Sequence, residues 1–411
     1  MKLESIDTFV TAPPTGIGGA FWVFVRVTTD TGIEGVGECY GVPFGPNVVT
    51  AAAVDMFDRY IAGTDPHQLE LMFRRAYSAG FTQRPDVTAM GVFSGIEMAV
   101  WDILGKAHGV PVYELLGGRL RDRLRAYTYL YPLDVDDRGQ PLPGTPDVYH
   151  DPAAAADAAA RYVDMGWTAV KQDPAGPYTI QGGRELSLTE LRRCQDNAAA
   201  IRDAVGDRAD ILFGTHGQMT TSSAIRLARR LEAFDPLWFE EPCPPDQMAA
   251  IGEVAAATSI PVATGERLTT AIEFKAALDA GVRIVQPNVG RCGGIRELKR
   301  IAALTELYNA QVAPHIYCGP VAHAAAAHVG FTSPSFLILE TIRTDFHDAV
   351  VDRPLEWDSG FVLAPTEPGL GLELNLDVLA AHPCTSTRGR HLEMTQRVLD
   401  SANELTVGDL D

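Results

Sequence analysis

Lysine is scarce in this chain of 411 residues: it occurs only at positions 2, 106, 171, 275 and 299, and arginine makes up the rest of the 34 basic residues. Against 53 acidic residues the formal net charge is −19. That balance argues against nucleic acid as a partner, because phosphate backbones are bound through basic surface. It leaves room for a small-anion site, since charge inside a cleft can differ from the total. The six cysteines are scattered, with no CxxC pair, so neither a disulfide framework nor a zinc ribbon is expected and a reduced, cytoplasmic protein is. No apolar run reaches the roughly 18 residues of a membrane helix, so no membrane association is expected. The first residues lack a basic stretch followed by an apolar one, so no secretory signal is expected. There is no GxxxxGK[ST] loop and no HExxH, which removes the common nucleotide and zinc-protease motifs.

What is there divides in two. "FWVFVRVTTDTGIEGVGECYG" reads as two β runs around a turn at Asp30-Thr31-Gly32, and helical patterns follow near 48–62, 66–78 and through "GVFSGIEMAVWDILGKAHG", which stops at Gly109 with Pro111 beyond. This predicts an N-terminal α+β domain over 1–121. From there short apolar runs alternate with helical stretches: 125–131, 168–173, 210–216, 237–242, 260–266, 283–289, 310–316 and 335–340. Eight such runs predict an α/β fold, a parallel (β/α) barrel over 122–364, with a long Pro/Gly/Asp-rich loop at 132–152. The tail, 365–411, does not continue the rhythm and is expected to pack back on the first domain.

Barrel active sites lie at the C-terminal strand ends. Here those ends present Lys171 and Asp173, His216, Glu240 and Glu241, Glu266 and Arg267, Asn288, His315 and Glu340. A lone strand-end Glu is most often a solvated or salt-bridged residue, so the argument rests on the set. Carboxylates on neighbouring strands suit a hard divalent cation such as Mg²⁺. Two histidines and a lysine beside them suit proton transfer, and together they suit removal of a proton α to a carboxylate. "GIGGAF" (16–21) reads either as a lid that brings Phe21 and Trp22 to the substrate or as a plain turn with core aromatics. Phe44, Tyr149 and His150 carry the same ambiguity.

With "SGIEMAVWDILGKAHGVPVYELLGG", "WFEEP", "ATGERL", "QPNVGRCGGI" and "APHIYCGPVA", the chain resembles the enolase superfamily in its mandelate racemase and acid-sugar dehydratase branch. The resemblance implies a modified (β/α)7β TIM-type barrel, an α+β capping domain completed by both chain ends, an Mg²⁺ site and a homo-oligomer, dimer or octamer. By position, Glu240 and Glu266 match metal ligands and His315 a general acid/base. His216 matches the histidine that protonates a departing hydroxyl, Lys171 the first lysine of a Lys-x-Lys pair, and Glu340 the glutamate on the substrate carboxylate. Asp173 and Arg267, with Phe21 and Trp22, complete the candidate substrate contacts.

Three positions depart from the family pattern. Gly214 stands where the first metal carboxylate belongs, Asn288 where an Asp partners the catalytic histidine, and Asp173 where the second lysine belongs. Asn288 is expected to orient His315 by accepting a hydrogen bond, and water or Asp173 to fill the metal shell. The leading expectation is an Mg²⁺-dependent dehydratase of a sugar acid, with His315 or Lys171 as base and His216 as acid. The alternatives are a racemase or epimerase of a carboxylate, and a non-catalytic member that binds a small carboxylate.

Overall fold

The computed structural model describes residues 1–40, 43–132, 135–136, 142–176, 178–179 and 182–385, together with the backbone of a short strand pair at 398–400 and 405–408. Residues 133–134 and 137–141 of the 132–152 loop therefore lie outside the described residues.

The chain starts with an antiparallel sheet of β1 (Leu3–Thr11), β2 (Trp22–Thr29) and β3 (Glu34–Cys39). Helices Pro46–Tyr60, Leu69–Tyr77 and Val87–His108 cover it. The last begins at Asp86, whose carboxylate accepts from Ala89 N at 2.7 Å, and ends at Gly109 in the left-handed region, φ 68°. It is apolar on nearly all sides because it lies on the sheet and against the barrel. Among the described residues it alone is long and apolar enough to cross a bilayer, yet 78% of its apolar window is buried inside the protein. Its approach to β3 depends on glycine: a Cβ on Gly37 would fall 1.8 Å from Gly95 O.

The barrel strands are β4 (Arg123–Tyr129), β5 (Ala169–Gln172), β6 (Asp210–Gly214), β7 (Trp238–Glu240), β8 (Val262–Thr264), β9 (Ile284–Val285), β10 (Gln311–Val312) and β11 (Leu339–Glu340). From β4 to β10 each pairs in parallel with the next. β11 pairs with β4, and the residues just before it bond to Val312 of β10 (Val312 N to Ser335 O and Leu337 N to Val312 O, both 2.9 Å), so the eighth run links the first barrel strand to the last. One side chain from each run, Tyr127, Ala169, Leu212, Trp238, Ala263, Ile284, Ala313 and Ile338, forms a buried layer inside the barrel. All eight expected runs are strands, but the last three are short. Pro287 and Pro314 follow β9 and β10 closely and have no N–H to extend the ladders.

Two buried carboxylates of the first domain serve as caps for barrel helices. Glu38 accepts from Gly319 N (2.5 Å) and Ala322 N (3.0 Å) at the start of helix Pro320–Thr332. Glu97 accepts from Ile295 N (2.6 Å) and Arg296 N (2.9 Å) at the start of helix Gly294–Leu307. Both satisfy amides that a helix start leaves without partners. These are the helices that follow Asn288 and His315. Near the other chain end, His382 O accepts from Ala12 N at 3.0 Å and from Thr11 Oγ1 at 2.7 Å.

Candidate active site

Lys171 lies in β5, Glu240 ends β7 and Glu340 ends β11, while Glu266 and His315 follow β8 and β10. All five are buried. The Lys171 ammonium donates to Glu240 Oε1 and lies 3.8 Å from Glu340 Oε1. Its nitrogen is also 4.8 Å from the Tyr129 ring centroid. Burial works against the charge on Lys171, but Glu240, Glu340 and Glu266 outweigh it and the net shift of its pKa is upward. Glu240 is fully engaged, because its Oε2 accepts from Trp238 Nε1 at 2.8 Å and Gln286 Nε2 at 2.7 Å.

Gly214 faces this cluster. A Cβ there would meet Lys171 Cε at 3.1 Å, the Tyr129 hydroxyl oxygen at 3.3 Å and Asp173 Oδ2 at 3.6 Å. A side chain there would press on Lys171 and Tyr129, which would have to give by a few tenths of an ångström to admit it.

His216 sits just past β6 with φ 47°. Its Nδ1 is 2.6 Å from Asp173 Oδ2 and 2.8 Å from the Tyr178 hydroxyl. Burial disfavours its charged form, but the Asp173 hydrogen bond and the Glu266 charge prevail and raise its pKa to about 9. Burial raises the Asp173 pKa, and His216 partly offsets this. Asp173 was expected among the substrate contacts; it is instead the partner of His216, because its Oδ2 is committed to that ring.

His315 differs from expectation in a way that decides its chemistry. Asn288 Oδ1 accepts from Gly290 N at 2.8 Å, and Nδ2 lies 3.1 Å from both His315 O and His315 Nδ1. An N–H and a C=O of the backbone thus fix which way the amide points. Asn288 therefore donates to Nδ1 rather than accepting from it, and the neutral ring carries its proton on Nε2. Nε2 faces Glu266 Oε2 at 3.3 Å and Glu340 Oε2 at 3.8 Å. Burial lowers the His315 pKa to about 3, with Glu266 opposing and Lys171 and Arg291 adding to the drop. Burial raises the Glu266 pKa, but the His315 Nε2–H that faces it and the positive charges of His216, Arg267 and Lys171 win, and the net shift is downward. Burial raises Glu340 to about 7, against the pull of Lys171.

Other expected contacts fall elsewhere. Arg267 is held by Glu241, with Nε 2.9 Å from Oε2 and Nη2 on the same oxygen, so its fork is not directed at a substrate. Phe21 packs in the core of the first domain. Trp22 packs against Phe24, Phe346 and His347 and donates to Gly18 O at 2.9 Å. Phe21 just before β2 and Trp22 at its first position fall in two separate buried clusters, so both are core aromatics rather than the substrate contacts expected. The glycine loop itself does lie on the segment that carries His315: a Cβ on Gly18 would meet Cys318 O at 3.3 Å. His150 is exposed and bonded to Asp147 at 2.6 Å, and Phe44 is 50% exposed.

The sequence reading missed Tyr178, Trp238 and Gln286, and with them Tyr127, Tyr129 and Tyr131. All three hydroxyls are buried; that of Tyr127 is paired with Glu340, and those of Tyr129 and Tyr131 have no hydrogen-bond partner. Their spacing in "RAYTYLY", every second residue, was the available signal, since alternate strand residues share a face.

The donor set does not fit a divalent ion. Of the three carboxylate positions, Gly214 supplies nothing, Glu240 already accepts three hydrogen bonds, one from an ammonium, and Glu266 faces His315 Nε2 at 3.3 Å. Asp173 is bound to His216. Among the described residues no three His, Cys, Asp or Glu side chains converge so as to hold a metal ion.

Residues 7–117 match the mandelate racemase / muconate lactonizing enzyme N-terminal domain, and residues 154–378 match the enolase C-terminal domain-like family. D-galactonate dehydratase from Xanthomonas oryzae pv. oryzae is 36% identical over 392 residues, 92% of this chain and 94% of that protein. A mandelate racemase/muconate lactonizing enzyme from Sulfitobacter sp. superposes with TM-score 0.93 at 50% identity, covering 97% of this chain and all of that one (100%). One from Jannaschia sp. CCS1 gives 0.91 at 52%, covering 96% and 100%. The chain belongs to the enolase superfamily, in its mandelate racemase / muconate lactonizing enzyme group.

Proposed function

We propose that the protein is a hydro-lyase that dehydrates a sugar acid, with the Asp173–His216 pair as its acid/base. The observation that carries this reading is the 2.6 Å contact between Asp173 Oδ2 and His216 Nδ1. It anchors the Nδ1 proton and leaves Nε2 to work, the same division of labour a carboxylate imposes on a catalytic histidine elsewhere. Relatives named D-galactonate dehydratase, similar over nearly their whole length, support the reaction class. The free cysteines, five of them buried, agree with a reducing compartment.

In this reading the neutral form of His216, the minor form at neutral pH with a pKa of about 9, takes the proton α to the carboxylate on Nε2, and the electron pair moves into the carboxylate as an enediolate. The bond from the β-carbon to its hydroxyl then breaks, and the hydroxyl leaves as water with the proton from Nε2. The resulting enol becomes a 2-keto acid. His315 does not serve as base, because its Nε2 already carries a proton; it donates a hydrogen bond instead. Lys171, charged and paired, has no lone pair to offer. With acid and base in one group, both transfers occur on one face and the elimination is syn. Racemisation, which needs a group on each face, is disfavoured for the same reason.

A panel of sugar acids incubated with the protein tests this, with 2-keto acid as the readout and His216→Asn as control. The expected result is dehydration of at least one acid, abolished in the variant. Epimerisation or α-hydrogen exchange without loss of water would overturn the reading.

A further inference from the structure

We infer that the Lys171 ammonium, with the Tyr129 hydroxyl beside it, is the resident cationic group of this site and binds the substrate carboxylate where the family places a divalent ion. The inference rests on the carboxylate-substrate reading above only for the identity of the bound anion.

Three observations converge. Gly214 has no ligand atom, and the nearest atoms to a Cβ built there belong to Lys171 and Tyr129. The position that lacks the carboxylate is thus the one against which Lys171 and Tyr129 pack. Second, Glu240 spends one oxygen on Lys171 and the other on Trp238 and Gln286, so a divalent ion would have to displace an ammonium from its carboxylate. Third, the buried Tyr129 hydroxyl beside the ammonium has no hydrogen-bond partner and is a donor that a carboxylate would match, while Gln286 Oε1 and Glu340 Oε1 are unpartnered acceptors that hydroxyl groups of the same ligand would match. A native interior rarely leaves so many polar atoms unmatched unless a polar ligand completes them. A carboxylate would accept from the ammonium and from the Tyr129 phenol, giving short charge-assisted bonds. When the α-proton leaves, the electron pair gathers on those same oxygens, and Lys171 stabilises it as a hydrogen-bond donor while keeping its own proton.

The test begins with calorimetric titration of MgCl₂ into chelator-treated wild-type protein. The expected result is no binding heat up to millimolar Mg²⁺. The double variant Gly214→Asp/Lys171→Met, which supplies the carboxylate and removes the ammonium, is expected to bind Mg²⁺ at least tenfold more tightly than wild type. Submillimolar binding by the wild type, abolished by Glu240→Gln, would overturn the inference. An NMR titration with glycolate tests the anion side. Lys171→Met, with its fold checked by thermal melting, is expected to weaken glycolate binding at least tenfold, and unchanged affinity would also overturn the inference. Neither measurement needs turnover, so a failed dehydration assay leaves both decisive.

Discussion

Asn288 donates its amide to His315 Nδ1 at 3.1 Å while its own oxygen is taken by the backbone N–H of Gly290 at 2.8 Å. An Asp at 288 would accept from Nδ1 instead and add a negative charge beside a ring whose pKa burial holds near 3. Nitrogen-15 NMR of the imidazoles reads the tautomer directly. The wild type is expected to show the Nε2–H form of His315 at neutral pH. Asn288→Asp is expected to move the proton to Nδ1 and raise the pKa. A wild-type ring protonated on Nδ1 would restore His315 as the base and remove the argument that gives this role to His216.

Asp173 bears on both rate and pH dependence. With the His216 pKa at about 9, kcat/KM is expected to rise with pH and level off near that value, since only the neutral ring takes the α-proton. Asp173→Asn removes the largest raising contribution, so the rise is expected to shift to lower pH. It is also expected to lower kcat by roughly 10²–10⁴, by analogy with the loss of the orienting carboxylate in a Ser-His-Asp triad. The stability side has the opposite sense. A histidine whose folded pKa lies above its unfolded value near 6.5 adds stability that is fully present below 6.5 and lost as pH rises through about 9. Melting temperatures across that window are expected to fall more in the wild type than in Asp173→Asn. A pH profile that the variant leaves in place would separate Asp173 from the titrating group.

Trp22 distinguishes a core role from a substrate role. Its indole is 1% exposed and packs against Phe24, Phe346 and His347. Trp22→Ala is expected to cost about 3–5 kcal/mol in denaturant unfolding, as buried aromatic truncations do, with KM of the folded enzyme unchanged. A raised KM with stability intact would return Trp22 to the substrate.

The barrel was legible because eight short apolar runs between helical stretches leave few alternatives, and the motifs "WFEEP" and "APHIYCGPVA" carried the strand-end residues with them. The polar residues that close the apolar runs placed Glu240, Glu266 and His315 at the strand ends, where the structure has them. Which group each side chain would bond was not legible. Asp173 and His216 are 43 positions apart and meet only because β5 and β6 are neighbours in the sheet. The direction of the Asn288 amide depends on the backbone at 290 and 315, which no residue type encodes. Trp22 was ambiguous for a simpler reason: an aromatic after a glycine loop reads the same whether β2 turns it inward or outward. Gly214 was recognised as a missing ligand, but the lysine and tyrosine that pack against it come from two other strands.

Glu97 tests how the first domain holds the region after β9 in place. Its carboxylate takes the first amides of helix Gly294–Leu307 and the Trp101 indole N–H at 2.7 Å, across the boundary between the two halves of the fold. Glu97→Ala would leave buried amides at a helix start without partners. The expected cost is roughly 1–3 kcal/mol for each one that water does not reach. Glu97→Gln keeps an acceptor oxygen and is expected to cost less. Burial raises the Glu97 pKa to about 7, so the folded state holds this proton more readily than the unfolded chain does. Its contribution to stability is therefore expected to fall as pH rises from about 4.5 to about 7, the reverse of a salt-bridged carboxylate. Glu97→Gln removes the titration and is expected to flatten that part of the melting-temperature profile. An unchanged slope in Glu97→Gln would assign it to the other buried carboxylates of the interface, of which Glu38, also raised to about 7, is the first to replace.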